Sequence, residues 1–297
     1  MNLQTFMQHF ANGISVGSLY ALIAIGYTMV YGILRLINFA HGDIFMMSSY
    51  FIVFTMVNFK LPWFVAIPLA LLATVILGVI VERCAYKPLR DAPKMSIMIS
   101  AIGVSFLLEN LATYLFSGVP KGFPALPALT RILKVGTISF PVVTFVIPTV
   151  TIILLIGLIF LVNHTKIGMA MRAVAKDYET ASLMGIQINK IIGVTFSIGS
   201  LLAGVGAVLW GAKYPSVYPL MGVMPGLKCF IAAVLGGIGN IQGAMLGGFI
   251  LGMGETFLIA FMPTMTGYRD AFAFILLIVI LFIKPTGLLG EKIADKV

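Results

Sequence analysis

"GILRLINFAHGD" (Gly32 to Asp43) sets Arg35, Asn38, His41 and Asp43, flanked by two glycines, between two apolar runs. Across the 297 residues 60% are hydrophobic and 10% charged, with a mean hydropathy of +1.07. Soluble domains hold roughly a quarter charged residues, so the solvent of this chain is lipid. Hydrocarbon offers nothing to a freed N–H or C=O. A polar stretch at that depth is therefore either a tight turn at the surface or a helix break facing protein or water. Gly42 allows the dihedrals of a break, and Asn38, His41 and Asp43 can bond the backbone groups it frees.

Working outward, the apolar runs cover about 10–34, 44–59, 62–81, 95–116, 141–162, 191–210, 227–239, 243–262 and 271–283. This predicts an all-α integral membrane bundle of about eight or nine transmembrane segments, with broken or re-entrant helices where runs are short. With no long polar stretch, residues 1–297 read as one transmembrane domain. The first run lacks a basic lead-in and a small-residue cleavage site, so it reads as a retained helix. No 20 to 50 residue period is visible, which excludes a solenoid.

Segments 82–94, 163–190 and 284–297 hold most of the basic residues. The positive-inside bias makes them cytoplasmic, with the N-terminus outside and the C-terminus inside. That arrangement puts about twelve Lys or Arg inside and about six outside. The net charge of +9 thus reflects orientation and not nucleic-acid binding.

A second candidate break is "VLGGIGNIQGAMLGG" (Val234 to Gly248), where Gly236, Gly237, Gly239 and Asn240 cluster. It too reads as a tight cytoplasmic turn or a broken helix beside a translocation path. Small residues at four-residue spacing (Gly199, Ala203, Ala207; Gly243, Gly247; Gly248, Gly252) predict close helix packing. Ionisable groups in apolar runs face a cavity or a partner. Glu109 and Glu255 accordingly read as carboxylates bonded between helices, and Lys228 as snorkelling toward the outer headgroups. Ser105, Glu109, Asn110 and Asn240 are the candidate path residues.

Catalytic and metal constellations are missing from the sequence. His9, His41 and His164 are scattered, Cys84 and Cys229 suggest neither a disulfide framework nor a metal site, and there is no HExxH, G-x-S-x-G or G-x-x-x-x-G-K-[ST]. The chain reads as a transport subunit and not an enzyme. If transport is ATP-driven, ATP binds elsewhere.

"RAVAKDYETASLMGIQINKII" (Arg172 to Ile192) is the most informative polar segment. Asp177 suits an N-cap, Glu179 a first turn and Gly185 a C′ stop, with Ile186 folding back on the helix end. A helix of about two turns is unstable alone in water and needs a docking surface.

Glu179, Ala181 and Gly185 resemble the E-A-A-x-x-x-G loop of ABC importer permeases, with Thr180 in place of the middle Ala; Ser197 and Ile198 stand where that loop has Leu-Pro. Taken together, "NGISVGSLYALIAIGYTMVYGILRLINFAHGD", "ERCAYKPLR", "ISAIGVSFLLEN", "RAVAKDYETASLMGI", "VLGGIGNIQGAMLGG" and "PTGLLG" resemble the LivH-type permease of branched-chain amino-acid ABC importers, over nearly the whole chain. The resemblance implies a bacterial inner-membrane complex: a second, LivM-like permease, two cytoplasmic ATPases holding ATP and Mg, and an extracytoplasmic solute-binding protein. In it, Asp177, Glu179, Thr180, Ala181, Ser182 and Gly185 form the ATPase-coupling segment. Asn38, His41, Gly42, Asp43, Gly236, Gly237, Gly239 and Asn240 form the signature breaks. No cofactor binds this chain. Urea or short amides are the alternative cargo, and an ion-coupled secondary transporter using Glu109 or Asp43 is the alternative class.

Overall fold

The computed structural model describes residues 3–90, 92–135 and 138–290. Eleven α-helices are found among the described residues: α1 (Leu3–Leu34), α2 (His41–Val53), α3 (Trp63–Val81), α4 (Lys94–Phe116), α5 (Val143–His164), α6 (Lys166–Lys176), α7 (Tyr178–Leu183), α8 (Ile188–Lys213), α9 (Val223–Gly236), α10 (Ile241–Phe261) and α11 (Arg269–Ile283). Seven helical segments are long and apolar enough to span a bilayer. The protein is a polytopic all-α membrane protein. Lys292 and Lys296 of the basic 284–297 segment lie outside the described residues.

Helix α1 is the axis. Its 32 residues extend about 48 Å at 1.5 Å per residue, and nearly all of its apolar stretch is buried. It owes that position to small residues. A Cβ on Gly252 of α10 would lie 2.3 Å from Gly17 Cα, and one on Gly248 would lie 2.4 Å from Ala21 N. Two backbones meet here without side chains between them, the packing lipid favours. By contrast, the large apolar side chains of α3, α4, α5 and α11 point outward, where lipid or another chain covers them.

Two of the nine apolar runs are not spans. After Leu34, Arg35 adopts φ 53°, a left-handed conformation costing about 1–2 kcal/mol outside glycine, and residues 35–40 turn back into the bundle. There His41 packs on Tyr27, ring centroids 4.5 Å apart, with its ring also against Gly26. Gly26 lies about 12 Å along α1 from Leu34, so α2 starts inside the bundle. It continues into a π-helical turn, Phe54–Asn58, at the end where Tyr50 stacks on Phe116 at 4.4 Å. The other half-helix is α9. Residues 214–222 enter from the end opposite α7, and the 14 residues of α9, about 21 Å, run toward the α7 end.

Two short antiparallel pairings cap the end opposite α7: β1 (Lys121–Gly122) with β4 (Ser216–Val217), and β2 (Ile132–Val135) with β3 (Ile138–Pro141). The first ties the α4–α5 connection to the segment leading into α9.

Candidate functional site

The two half-helices meet at glycines. A Cβ on Gly42 would sit 2.5 Å from Gly222 O and 3.2 Å from Gly226 Cα; a Cβ on Gly222 would sit 2.1 Å from Gly42 O. The buried polar residues around this crossing are held locally. Tyr86 donates its hydroxyl to Asn38 Oδ1 at 2.9 Å, and Ser105 of α4 donates to the Asp43 carboxylate. "NFAHGD" is therefore the start of a re-entrant half-helix. "VLGGIGNIQGAMLGG" is instead a turn at the α7 end: Gly237 (φ 108°) and Gly239 (φ 93°) reverse the chain, and Asn240 caps α10 by accepting from Gly243 N–H at 3.0 Å. The turn is closed by the C-terminal segment, since Asn240 donates to Leu289 O at 2.9 Å and Gly236 packs against Gly243.

Of the candidate path residues, only Ser105 bonds at the crossing. Glu109 is partly exposed, and Asn110 faces outward, donating to Phe106 O of its own helix at 2.7 Å.

The segment 163–190 folds as two helices where one was expected. α6 is amphipathic, with Thr165 as its N-cap accepting from Gly168 N–H and Met171 and Val174 buried. In α7, Asp177 Oδ1 accepts from the N–H groups of Glu179 (3.0 Å) and Thr180 (3.1 Å). At its other end Gly185 (φ 81°) N–H reaches Ser182 O and Ile186 N–H reaches Ala181 O, the two bonds of a Schellman stop. Ala181 is buried, whereas Leu183 and Met184 are 87% and 78% exposed. A capped helix thus ends in an apolar tip facing away from its own bundle. Beside it lies a cleft of about 1160 Å³ walled by Tyr178, Glu179, Lys87, Lys94 and Lys190.

The α6–α7 pair is wired to the junction of α1 with the 35–40 segment. Tyr178 donates its hydroxyl to Ile33 O at 2.7 Å, and Arg35 donates to Ala175 O at 3.2 Å. Burial pushes the Tyr178 hydroxyl up from its ordinary pKa, against the opposing pull of Arg90 and Arg35, so it stays a neutral donor near pH 7.

At the opposite end, four charged side chains from three helices converge. Glu255 of α10, fully buried, faces Lys228 Nζ of α9 at 2.9 Å and Arg269 Nε of α11 at 2.5 Å. Lys228 also pairs with Asp270 at 2.7 Å, and Tyr20 donates to Glu255 at 3.0 Å. Lys228 thus does not snorkel to headgroups: a buried carboxylate and Asp270 hold it. The signal available in sequence was two opposite charges, Lys228 and Glu255, in neighbouring apolar runs; Arg269 and Asp270 were hidden in the polar turn before the last helix.

Long helices able to span a bilayer, two half-helices crossing inside the bundle and one short capped helix at one end make up a polytopic membrane protein, and its relatives are permeases. The family described as branched-chain amino acid transport system / permease component matches residues 9–281. This chain is 41% identical to the high-affinity branched-chain amino acid transport system permease protein BraD of Pseudomonas aeruginosa, over 98% of each chain. It is 40% identical to the corresponding LivH of Escherichia coli, again over 98% of each. A more distant relative is the ribose import permease protein RbsC of Haemophilus influenzae, at 25% over 79% of this chain and 72% of that one. Among solved structures, PsaBC from Streptococcus pneumoniae in complex with Fab shares the fold, with a TM-score of 0.50 at 15% identity, covering 94% of this chain and 92% of that one.

The chain belongs to the permease-component family of branched-chain amino acid transport systems. It is a transport component and not an enzyme.

Proposed function

We propose that this chain is the membrane permease of an ATP-driven importer of branched-chain amino acids, set in a bacterial inner membrane with its α7 end in the cytoplasm. Its partners are a second, related permease, two ATPases that bind ATP and Mg, and an extracytoplasmic solute-binding protein. The observation that carries this reading is α7: capped at both ends, yet too short to persist without a docking surface and presenting Leu183 and Met184 to water. An apolar notch on a cytoplasmic ATPase supplies that surface.

The geometry also supports a route for the stroke. Force on α7 reaches Ile33 of α1 through Tyr178, force on the preceding α6 reaches the 35–40 segment through the bond of Arg35 to Ala175, and that segment leads into the half-helix crossing at Gly42. A tightly packed crossing has discrete arrangements and does not deform continuously. ATPase closure shifts it between them by differential contacts in each state.

The test is ATPase activity of the assembled complex in proteoliposomes, with binding protein loaded in turn with leucine, other amino acids and urea. Stimulation by leucine is expected. Stimulation by urea alone replaces the substrate and keeps the mechanism. Uptake driven by an ion gradient, with no ATPase in the complex, overturns the reading.

A further inference from the structure

At the α7 end a second cleft, of about 520 Å³, opens between the ends of α1, α5 and α6 and the turn from α9 to α10. Arg35, Arg172 and Lys176 line it, and among the described residues no carboxylate does. Nor does any of the three cations form an ion pair among the described residues. Asp177, the carboxylate beside Lys176 in sequence, is turned to the start of α7, where its Oδ1 accepts from the N–H groups of Glu179 and Thr180. The guanidinium groups are nevertheless held in place, since Arg35 donates to Ala175 O and Arg172 to Val162 O. Each uses one donor of its fork in this way and keeps the rest for a ligand. The neighbouring cleft of about 1160 Å³ differs: Glu179 stands on its wall, and Arg90, also there, is paired with Glu82. Orientation bias places cations on one side of a membrane. It does not gather three of them, from separate helices, around one opening without a counter-charge.

From these observations we infer that the cleft is a site for the phosphate headgroup of an anionic phospholipid in the leaflet at the α7 end. The uncompensated charge sets the sign of the ligand, and two arginines with a lysine suit a phosphate. The walls set its attachment to hydrocarbon. Ile159, Val162 and Ile241 stand among the cations, and from there toward the middle of the bundle Ile153, Ile156 and Phe160 of α5 and Leu246 and Ile250 of α10 are exposed. An acyl chain continuing from the headgroup covers such a face, whereas a free phosphate or an acidic loop of a partner protein gains nothing from it. A headgroup that carries its own ammonium brings a fourth cation to the three, so the net charge of the lipid is negative. Basic pockets between helices at a membrane surface are suited to headgroups of this kind.

The inference needs neither the cargo nor the energy source of transport, only a membrane surface at the α7 end. The experiment counts lipid bound to the assembled, detergent-purified complex by native mass spectrometry, during titration with short-chain phosphatidylglycerol or phosphatidylcholine. Phosphatidylglycerol is expected to bind the more tightly. Arg172→Gln with Lys176→Gln, both at exposed positions, is expected to weaken it about tenfold, and Lys176→Gln alone, the fallback should the double variant fail to assemble, about threefold. Lys87→Gln with Lys94→Gln removes the same charge from the neighbouring cleft and is expected to leave the affinity unchanged.

Equal weakening by the two double variants, or no preference for phosphatidylglycerol in the wild type, overturns the site, because general surface charge then accounts for binding. Inorganic phosphate bound as tightly as phosphatidylglycerol overturns the lipid as its source. Loss of the accompanying chains from the Arg172→Gln, Lys176→Gln complex with phosphatidylglycerol binding intact shows that the cleft holds protein, and overturns it as well.

Discussion

Replacing Gly42 by alanine tests the half-helix crossing directly. Inside a helix this change ordinarily stabilises by about 0.5–1 kcal/mol, since alanine has less freedom to lose. At Gly42 the added Cβ would lie 2.5 Å from Gly222 O, about 0.9 Å inside an ordinary carbon–oxygen contact of about 3.4 Å. The obstacle is backbone on both sides, Gly222 O and Gly226 Cα, so no side chain can rotate away. The half-helices must separate by roughly 1 Å, and overpacking of this kind costs about 1–3 kcal/mol. For a chain of this size that lowers the melting temperature by roughly 2–12 °C. Gly103→Ala in α4 is the control, because its Cβ meets nothing within 4 Å among the described residues. Thermal melting of the detergent-purified complex, followed by size-exclusion fluorescence, should show Gly42→Ala well below wild type and Gly103→Ala at or slightly above it. If Gly42→Ala melts with or above wild type, the two half-helices do not touch in this way and the crossing is wrong.

Three further outcomes follow from other contacts. Leu183→Asp should abolish co-purification of the ATPases while membrane insertion, measured by fractionation, stays normal; a complex that remains intact removes α7 as the docking element. Asp177→Ala removes an N-cap worth about 1 kcal/mol, and Gly185→Pro, whose ring fixes φ near −65°, is incompatible with the φ of 81°; ATP-driven uptake should fall in both, most in the second. Glu255→Gln leaves Lys228 and Arg269 without their buried counter-charge, a loss of about 3–5 kcal/mol. Lys228→Met added to it should recover part of the melting temperature, and a strictly additive double-mutant cycle would show that the pair is not coupled.

The helix α7 was legible in sequence because its determinants are local. Asp177, Glu179, Gly185 and Ile186 act within one or two turns, and the observed caps fall on those residues. α6 went unread for a related reason: it is amphipathic, so its buried Met171 and Val174 are diluted by Lys166, Arg172 and Lys176. The runs at 44–59 and 227–239 show the limit of hydropathy, which reports that a segment is apolar and not whether lipid or protein surrounds it. Asn110 reads as a path residue by its depth in an apolar helix, yet it points out of the bundle, a matter of which face of α4 meets α2.

By itself, then, sequence determined the solvent, the helical class, the family and the positions of the breaks, since composition, apolar run length and capping chemistry are local or additive. Only the tertiary structure decided that "NFAHGD" re-enters the bundle while "VLGGIGNIQGAMLGG" turns at its end, and that Tyr20, Lys228, Glu255 and Arg269 share one charged cluster. Those outcomes depend on which distant parts of the chain meet: Gly42 with Gly222 at the crossing, and Tyr20 with Glu255 and Arg269, more than 200 residues away, in the cluster. Small residues make such approaches possible, but only the packed bundle selects among them.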